Sequence, residues 1–320
     1  VDLTLTSHNG TIFNGSGGTK VAKVTKVGTQ MGGNPTRKRR TARDRRRGRV
    51  ELGGSLCLVT GAGSGIGLAT ALALSARGAR VLAADLDAAS AKRAAEDCGG
   101  IAYEVDVADR RAVRELADSV HSEHGVLDVL VNNAGVGMSG PFCDTSLEDW
   151  DWILGVNLMG VIHCSYAFGS SMVERGSGHV VNVSSGLGYV HTPNEPAYGT
   201  TKAAVLALSR SLRADWRPKG VGVSAVCPGV IATPIIEHTR FRGEQAGTDA
   251  VRRVRELFAR HGHPPRIVGE AIVSAIERDR PVVPVGAEAW AGWVVRGVVP
   301  SRVADTFASV SARGLSWGTR

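Results

Sequence analysis

Thr60-Gly61-Ala62-Gly63-Ser64-Gly65-Ile66-Gly67 follows the apolar run Leu56-Cys57-Leu58-Val59 and opens a stretch carrying Leu68, Ala71, Leu72 and Leu74. An apolar strand, a glycine-rich turn and a helix in that order begin a βαβ unit. The same alternation continues downstream. Strands are predicted at 56–60, 80–84, 101–105, 127–131, 179–183, 221–226 and 281–285, with helices near 65–77, 88–97, 109–124, 146–172 and 196–216. The strand runs are nearly continuous in Val, Leu, Ala and Ile, as expected when helices cover both faces. The chain therefore reads as a doubly wound, Rossmann-type α/β domain of about seven parallel strands over residues 51–320.

The turn has the spacing G-x-x-x-G-x-G, formed by Gly61, Gly65 and Gly67, and no Gly-Lys-Ser/Thr follows it, so it is not a P-loop. Glycines here let backbone amides approach a pyrophosphate, which the helix N-terminus attracts. The second strand run ends at Asp85, 18 residues after Gly67. An acid at that place can accept hydrogen bonds from the adenosine ribose and repels a 2′-phosphate. No Lys or Arg sits in the turn to attract one, so NAD is expected rather than NADP.

Tyr198 and Lys202 are four residues apart at the start of a helical stretch, on one face. An ammonium beside a phenol favours phenolate. Ser185 lies thirteen residues before Tyr198, after the strand run Val180–Val183, and Asn132-Asn133-Ala134-Gly135 closes the fourth strand. Both places are C-terminal strand ends, where doubly wound sheets carry their sites.

Together with Asp106-Val107, Asn157 and Pro228-Gly229, these motifs resemble the short-chain dehydrogenase/reductase family, in family order from about Leu52 to Thr233. The C-terminal stretch is similar to the dehydrogenase portion of actinobacterial proteins fused to an epoxide hydrolase domain. The resemblance implies an oxidoreductase that interconverts a secondary alcohol and a ketone by hydride transfer, without a metal. It implies Tyr198 as general acid/base and Lys202 as the group that lowers its pKa and holds the nicotinamide ribose. Ser185 would bind the substrate oxygen, with Ser184 structural, and Asn157 would hold a relay water. Gly61, Ser64, Gly65, Ile66 and Gly67 would cradle the pyrophosphate, with Asp85 at the ribose. Asp106 and Val107 would flank the adenine. Asn133, Ala134 and Gly135 would line the adenosine and ribose, and Pro228, Gly229, Ile231 and Thr233 the nicotinamide end. Family members usually pair through helices corresponding to 146–172 and 196–216, so a homodimer or homotetramer is expected.

The region from Thr233 to Arg266 mixes Ile235, Ile236, Phe241, Leu257 and Phe258 with arginines. It is read as a cover over a lipophilic substrate. His163, His179 and His191 lack metal-ligand spacing. Cys164 and Cys227 sit in apolar runs and read as core. Trp150 and Trp152 read as packing or interface groups.

Across 320 residues the net charge is +8, with 43% hydrophobic and 21% charged residues, which excludes disorder for most of the chain. Residues 1–49 carry 12 Lys/Arg and 2 Asp/Glu, so all of the excess basicity lies there. Residues 1–50 are read as a solvated, disordered basic arm. The competing functions are a nucleic-acid or anionic-surface protein acting through this arm, and a catalytically silent NAD-binding regulator. The arm lacks interleaved aromatics and a nucleic-acid-binding motif, and the Asn157, Ser185, Tyr198, Lys202 set argues against the silent reading. Five scattered cysteines without a C-x-x-C pair suit a reducing, cytoplasmic setting. No apolar run reads as a membrane span.

Overall fold

In the computed structural model, residues 48–297 are described. The basic-arm expectation for residues 1–47, and the stretch from 298 onward with Pro300, lie outside them.

The first βαβ unit is β1 (Leu56–Thr60), α1 (Gly65–Ser75) and β2 (Arg80–Asp85). Then follow α2 (Ala88–Cys98), β3 (Ile101–Glu104), α3 (Arg110–His124) and β4 (Val129–Asn132). Asp87 and Asp109 cap α2 and α3 by accepting backbone N–H bonds, which fixes where each helix starts. After β4 come β5 (Gly137–Ser139), α4 (Leu147–Leu154), a π-helical segment (Gly155–Met159) and α5 (Gly160–Arg175). The chain continues through β6 (Gly178–Val183), α6 (Pro196–Trp216), β7 (Val221–Pro228), β8 (Thr239–Phe241) and α7 (Thr248–His261). It ends with α8 (Arg266–Arg278), β9 (Val282–Val285) and α9 (Ala287–Val295).

Among the described residues the main sheet has seven strands in the order β3-β2-β1-β4-β6-β7-β9, every pair parallel. The order reverses beside β1, between β1 and β4. That switch point opens a crevice at the C-terminal strand ends. Two apolar layers cover the sheet. One joins β1, β2, β4 and β6 to α1, α2 and α8 through residues such as Val59, Leu74, Val131 and Ile272. The other joins the opposite face to α3 and α5 through Leu58, Leu130, Phe168 and Met172.

The packed body begins at Gly48, slightly before the expected boundary. Val50 and Leu52 are buried, and Gly48 O accepts from the ring of His179 at 2.7 Å. The predicted helix 146–172 is present but broken by the π segment. The run Leu147–Arg175 is long and apolar enough to cross a membrane, contrary to the sequence expectation; α5 nevertheless packs as a core helix, with Val161, Cys164, Phe168 and Met172 in the second layer.

Outside the main sheet, β5 and β8 form a two-stranded parallel ladder, Gly137–Ser139 against Thr239–Phe241. This pairing carries the segment after β7 back across the crevice.

Candidate active site

The crevice is a single cleft of about 1250 Å³ running over β2, β1, β4, β6 and β7. It contains Gly61, Ser64, Gly65, Ile66, Asp85, Asp106, Val107, Asn133, Ala134, Gly135, Ser185, Tyr198, Lys202, Pro228, Gly229, Ile231 and Thr233, so most of the sequence-predicted site lines one wall system. Gly67 and Asn157 do not line it.

The glycine turn is built for close approach. Gly61 has φ +63°, and a Cβ there would meet Ala134 Cα at 2.8 Å. A Cβ on Gly67 would fall 1.9 Å from Gly61 O, so only glycine lets α1 start this close to β1. Ser64 precedes the helix in extended conformation and makes no side-chain cap, and the first turn carries no acid. The leading N–H groups of α1 are therefore left for an anionic ligand. Asp85 is held at the rim: Gly63 N donates to its Oδ2 at 2.8 Å and Asp87 N to its Oδ1 at 3.1 Å. These features fit a dinucleotide with its pyrophosphate on the turn and a ribose at Asp85.

Asn133 does more than line the adenosine wall. Its Nδ2 donates to Thr60 O at 2.9 Å and Gly61 O at 3.1 Å, and Thr60 Oγ1 accepts from Asn133 N and Ala134 N. The residue thus ties β4 to the glycine turn.

Pro196 opens α6 at a position where its missing N–H costs no helical bond. The first turns then place Tyr198 and Lys202 on the cleft side. Lys202 Nζ lies 5.6 Å from the Tyr198 ring centroid and donates to Val183 O at 3.1 Å. Ser185 Oγ accepts from Leu187 N at 3.2 Å, which orients it at the end of β6. Ser184 also borders the cleft, and its Oγ donates to Lys202 O at 2.7 Å. Asn157 is fully buried within the π segment. It accepts from Val136 N at 2.8 Å and donates to Val136 O at 2.9 Å and Thr201 Oγ1 at 3.3 Å. Its amide is engaged with the wall, and only the missing side chain of Gly135 separates it from Lys202: a Cβ there would sit 3.2 Å from Asn157 Oδ1 and 3.4 Å from Lys202 Nζ.

The electrostatics correct one expectation. The Tyr198 phenol stands above its ordinary range, because burial and then the Glu195 charge push it up, while a hydrogen-bond contribution from Ser185 pulls it down. Burial lowers Lys202 to about 8. Both groups are desolvated together, so in the protein alone Lys202 does not bring the phenol down as its spacing suggested.

Other residues also border the cleft, of which Glu195 and Val254 were not singled out from sequence. Trp152 lines it, with the Arg240 guanidinium stacked 3.9 Å from the ring centroid. Glu195, the residue just before α6 and three before Tyr198, lines it too, and burial pushes its carboxyl up to about 7. Val254, Leu257 and Phe258 on α7 face the cleft, although α7 buries no side chain fully. Cys164 and Cys227 are buried, and desolvation pushes both thiols up to about 12, as suits core residues. His179 is likewise a core residue bonded to Gly48 O and Ser224 Oγ.

A family model for short chain dehydrogenases matches residues 55–242, which hold the glycine turn, Asn157, Ser185, Tyr198 and Lys202. The chain belongs to the short-chain dehydrogenase family. This dehydrogenase is 43% identical over 272 residues to "Probable oxidoreductase EphD" of Mycobacterium tuberculosis, an alignment covering 81% of the chain and 46% of that relative. The chain thus spans about half the length of that curated relative. It is 37% identical over 229 residues to the D-threitol dehydrogenase of Mycolicibacterium smegmatis, covering 70% of the chain and 86% of the relative. Its fold is similar to a short chain dehydrogenase/reductase from Burkholderia phymatum in complex with NAD, with TM-score 0.71 and 29% identity over 78% of the chain and 94% of that structure. The chain therefore has the NAD(P)-binding Rossmann fold of that family.

Proposed function

We propose that this dehydrogenase interconverts a secondary alcohol and a ketone on a lipophilic substrate, with NAD as the favoured cofactor. The observation that carries this reading is the convergence of Ser185, Tyr198 and Lys202 beneath the apolar side chains of Phe241, Leu257 and Phe258 in one cleft. A bound nicotinamide supplies or accepts the hydride. Ser185 Oγ holds the substrate oxygen, and Tyr198 Oη gives or takes the proton on that oxygen. Lys202 Nζ holds the nicotinamide ribose hydroxyls and stabilises the phenolate when it forms. Asn157 fixes the wall at Val136 and the first turn of α6 at Thr201, next to a relay water. The Asp85 carboxylate supports NAD over NADP, because a 2′-phosphate beside it meets a fixed negative charge. Exposed Phe142, Leu147 and Tyr166 around α4 and α5 support assembly as a homodimer or homotetramer. The unpaired cysteines suit a reducing cytoplasmic setting.

The test is an absorbance screen at the NADH band with NAD and NADP against short and long secondary alcohols. The expected result is NAD reduction that increases in kcat/KM with alkyl length. Turnover of short polar alcohols alone, or no turnover of any alcohol, overturns the reading.

A further inference from the structure

The segment from Pro228 to Pro234 bridges the two halves of the cleft. At one end, a Cβ on Gly186, the residue after Ser185, would lie 3.6 Å from Pro228 O. At the other, a Cβ on Gly65 in the glycine turn would lie 3.1 Å from Thr233 Cγ2 and 3.6 Å from Pro234 Cδ. Gly229, Val230 and Ile231 line the cleft between these ends. A dinucleotide with its pyrophosphate on the glycine turn and its reacting carbon at Ser185 and Tyr198 lays its nicotinamide half along this stretch. Strand β7 ends at Pro228, so the segment is held from outside the sheet. Gly229 N donates to Val285 O at 2.8 Å, His263 N to Val230 O at 2.9 Å and Ala232 N to His263 O at 2.9 Å. Among the described residues, one side chain from beyond the segment bonds its backbone: Glu288, whose Oε1 accepts from Val230 N at 2.8 Å.

Glu288 stands in the first turn of α9, an ordinary place for an acid. Its bond to Val230 leaves the helix, however, and the surroundings make room for it. A Cβ on Gly229 would lie 2.6 Å from its Cδ, and one on Gly286 2.8 Å from its Oε1, so a larger residue at either place displaces the carboxylate. Its Oε2 lies 3.4 Å from His263 Nε2. The helix is anchored on its other side as well. Tyr189 Oη donates to Ala289 O at 2.7 Å, the Tyr189 and Trp293 rings meet edge to face at 5.3 Å, and a Cβ on Gly292 would lie 2.6 Å from Val190 Cγ2. α9 therefore joins the loop that follows Ser185 to the segment that follows β7, and the adjacent residues Ala289 and Glu288 make the two joints. We propose that Glu288 is a positioning residue that acts through Val230 N to hold the segment 229–231 against the nicotinamide half of the cofactor. This rests on the NAD reading above and extends it. The Glu288 side chain is 43% exposed, so its removal empties no core and is felt in the geometry of the cleft more than in the stability of the fold.

The experiment titrates NADH, read by its fluorescence, and ADP, read by calorimetry, against the full chain in wild type, E288A and E288Q, with thermal melting of each. ADP carries the adenosine and the pyrophosphate but no nicotinamide. E288A is expected to weaken NADH binding by about tenfold, the effect of losing one hydrogen bond to a charged group. ADP binding is expected to change by less than about twofold, and the melting temperature by less than about 2 °C. E288Q keeps an oxygen that can accept from Val230 N without the charge, and is expected to bind NADH within about threefold of wild type. Equal weakening of NADH and ADP in E288A, an unchanged NADH affinity, or a loss in E288Q as large as in E288A overturns the role of Glu288 and leaves the NAD reading standing. Tighter NADH binding in both variants overturns it too, since the carboxylate would then act only as a charge facing the cofactor. No NADH binding by wild type overturns both.

Discussion

Arg242 Nε donates to Asp149 Oδ2 at 2.7 Å, joining the segment after β7 to α4 on the far side of the cleft. Arg242 Nη2 and Arg240 Nη1 add bonds of 2.8 and 3.1 Å to Oδ1 of the same carboxylate. Asp149 is only 2% exposed. Burial pushes its carboxyl up, but the bonds from Arg242 and Arg240 outweigh this and hold it below the usual carboxylate range. With the β5–β8 ladder, this cluster fixes the apolar cover that α7 presents. The arginines so prominent in the sequence of this region are therefore not all solvated; two of them fasten it.

Asp149→Ala leaves two guanidinium groups without their shared acceptor. The arginines are partly exposed and can recover water, so the expected cost is about 1–3 kcal/mol, below that of a fully buried pair. KM for a lipophilic alcohol is expected to rise more than kcat falls, because the cover positions substrate and does not touch the proton. Thermal melting and steady-state kinetics check this. An unchanged melting temperature with unchanged KM would show that the cluster holds nothing in place.

Tyr198→Phe removes the hydroxyl that carries the proton while keeping the ring packed against Ala197 and Ile153. Turnover is expected to fall by about 10²–10⁴-fold, the range for a positioned acid/base. NADH affinity, read by fluorescence titration, is expected to change less than about threefold. A mutant that retains a tenth of wild-type turnover would remove Tyr198 from the proton step.

Asp85→Ser exchanges a fixed charge for a neutral hydroxyl at the ribose position. The ratio of kcat/KM for NAD over NADP is expected to fall by about tenfold or more, since one charge–charge repulsion is removed and one charged acceptor is lost. Arg93, at the same rim with its Nη2 on Ser90 Oγ, becomes available to a 2′-phosphate. An unaltered ratio would mean that another feature sets the preference.

The main sheet was legible because each strand from Leu56 to Val285 is a short apolar run between turn signals, and the alternation leaves few topologies. That Tyr198 and Lys202 would lie together was legible because helical spacing, a local relation, holds them on one side of α6. What escaped was nonlocal. Gly137–Ser139 and Thr239–Phe241 are three residues each, too short to display a period, and their pairing spans about a hundred residues. The helix Thr248–His261 was not predicted, though Val251, Val254, Leu257 and Phe258 have helical spacing; five charged residues between Arg252 and Arg260 dilute the apolar pattern. Glu195 gave no signal at all, because its desolvation depends on the walls that β5 and the segment after β7 build around it.

That desolvation has a consequence for stability. A carboxyl raised to about 7 in the folded protein binds its proton more tightly than in the unfolded chain, where it titrates near 4.5. Its contribution to stability is then fully present below about pH 4.5 and is lost as the pH rises through about 7. Glu195→Gln cannot ionise and carries no such loss. Relative to E195Q, the wild type is expected to become less stable between pH 5 and pH 8, by on the order of 1–2 kcal/mol given the partial exposure of the side chain. Denaturant unfolding of both proteins at pH 5, 6.5 and 8 reads the difference directly, because every other titrating group is common to the pair. Parallel curves would mean that the carboxylate is solvated at neutral pH.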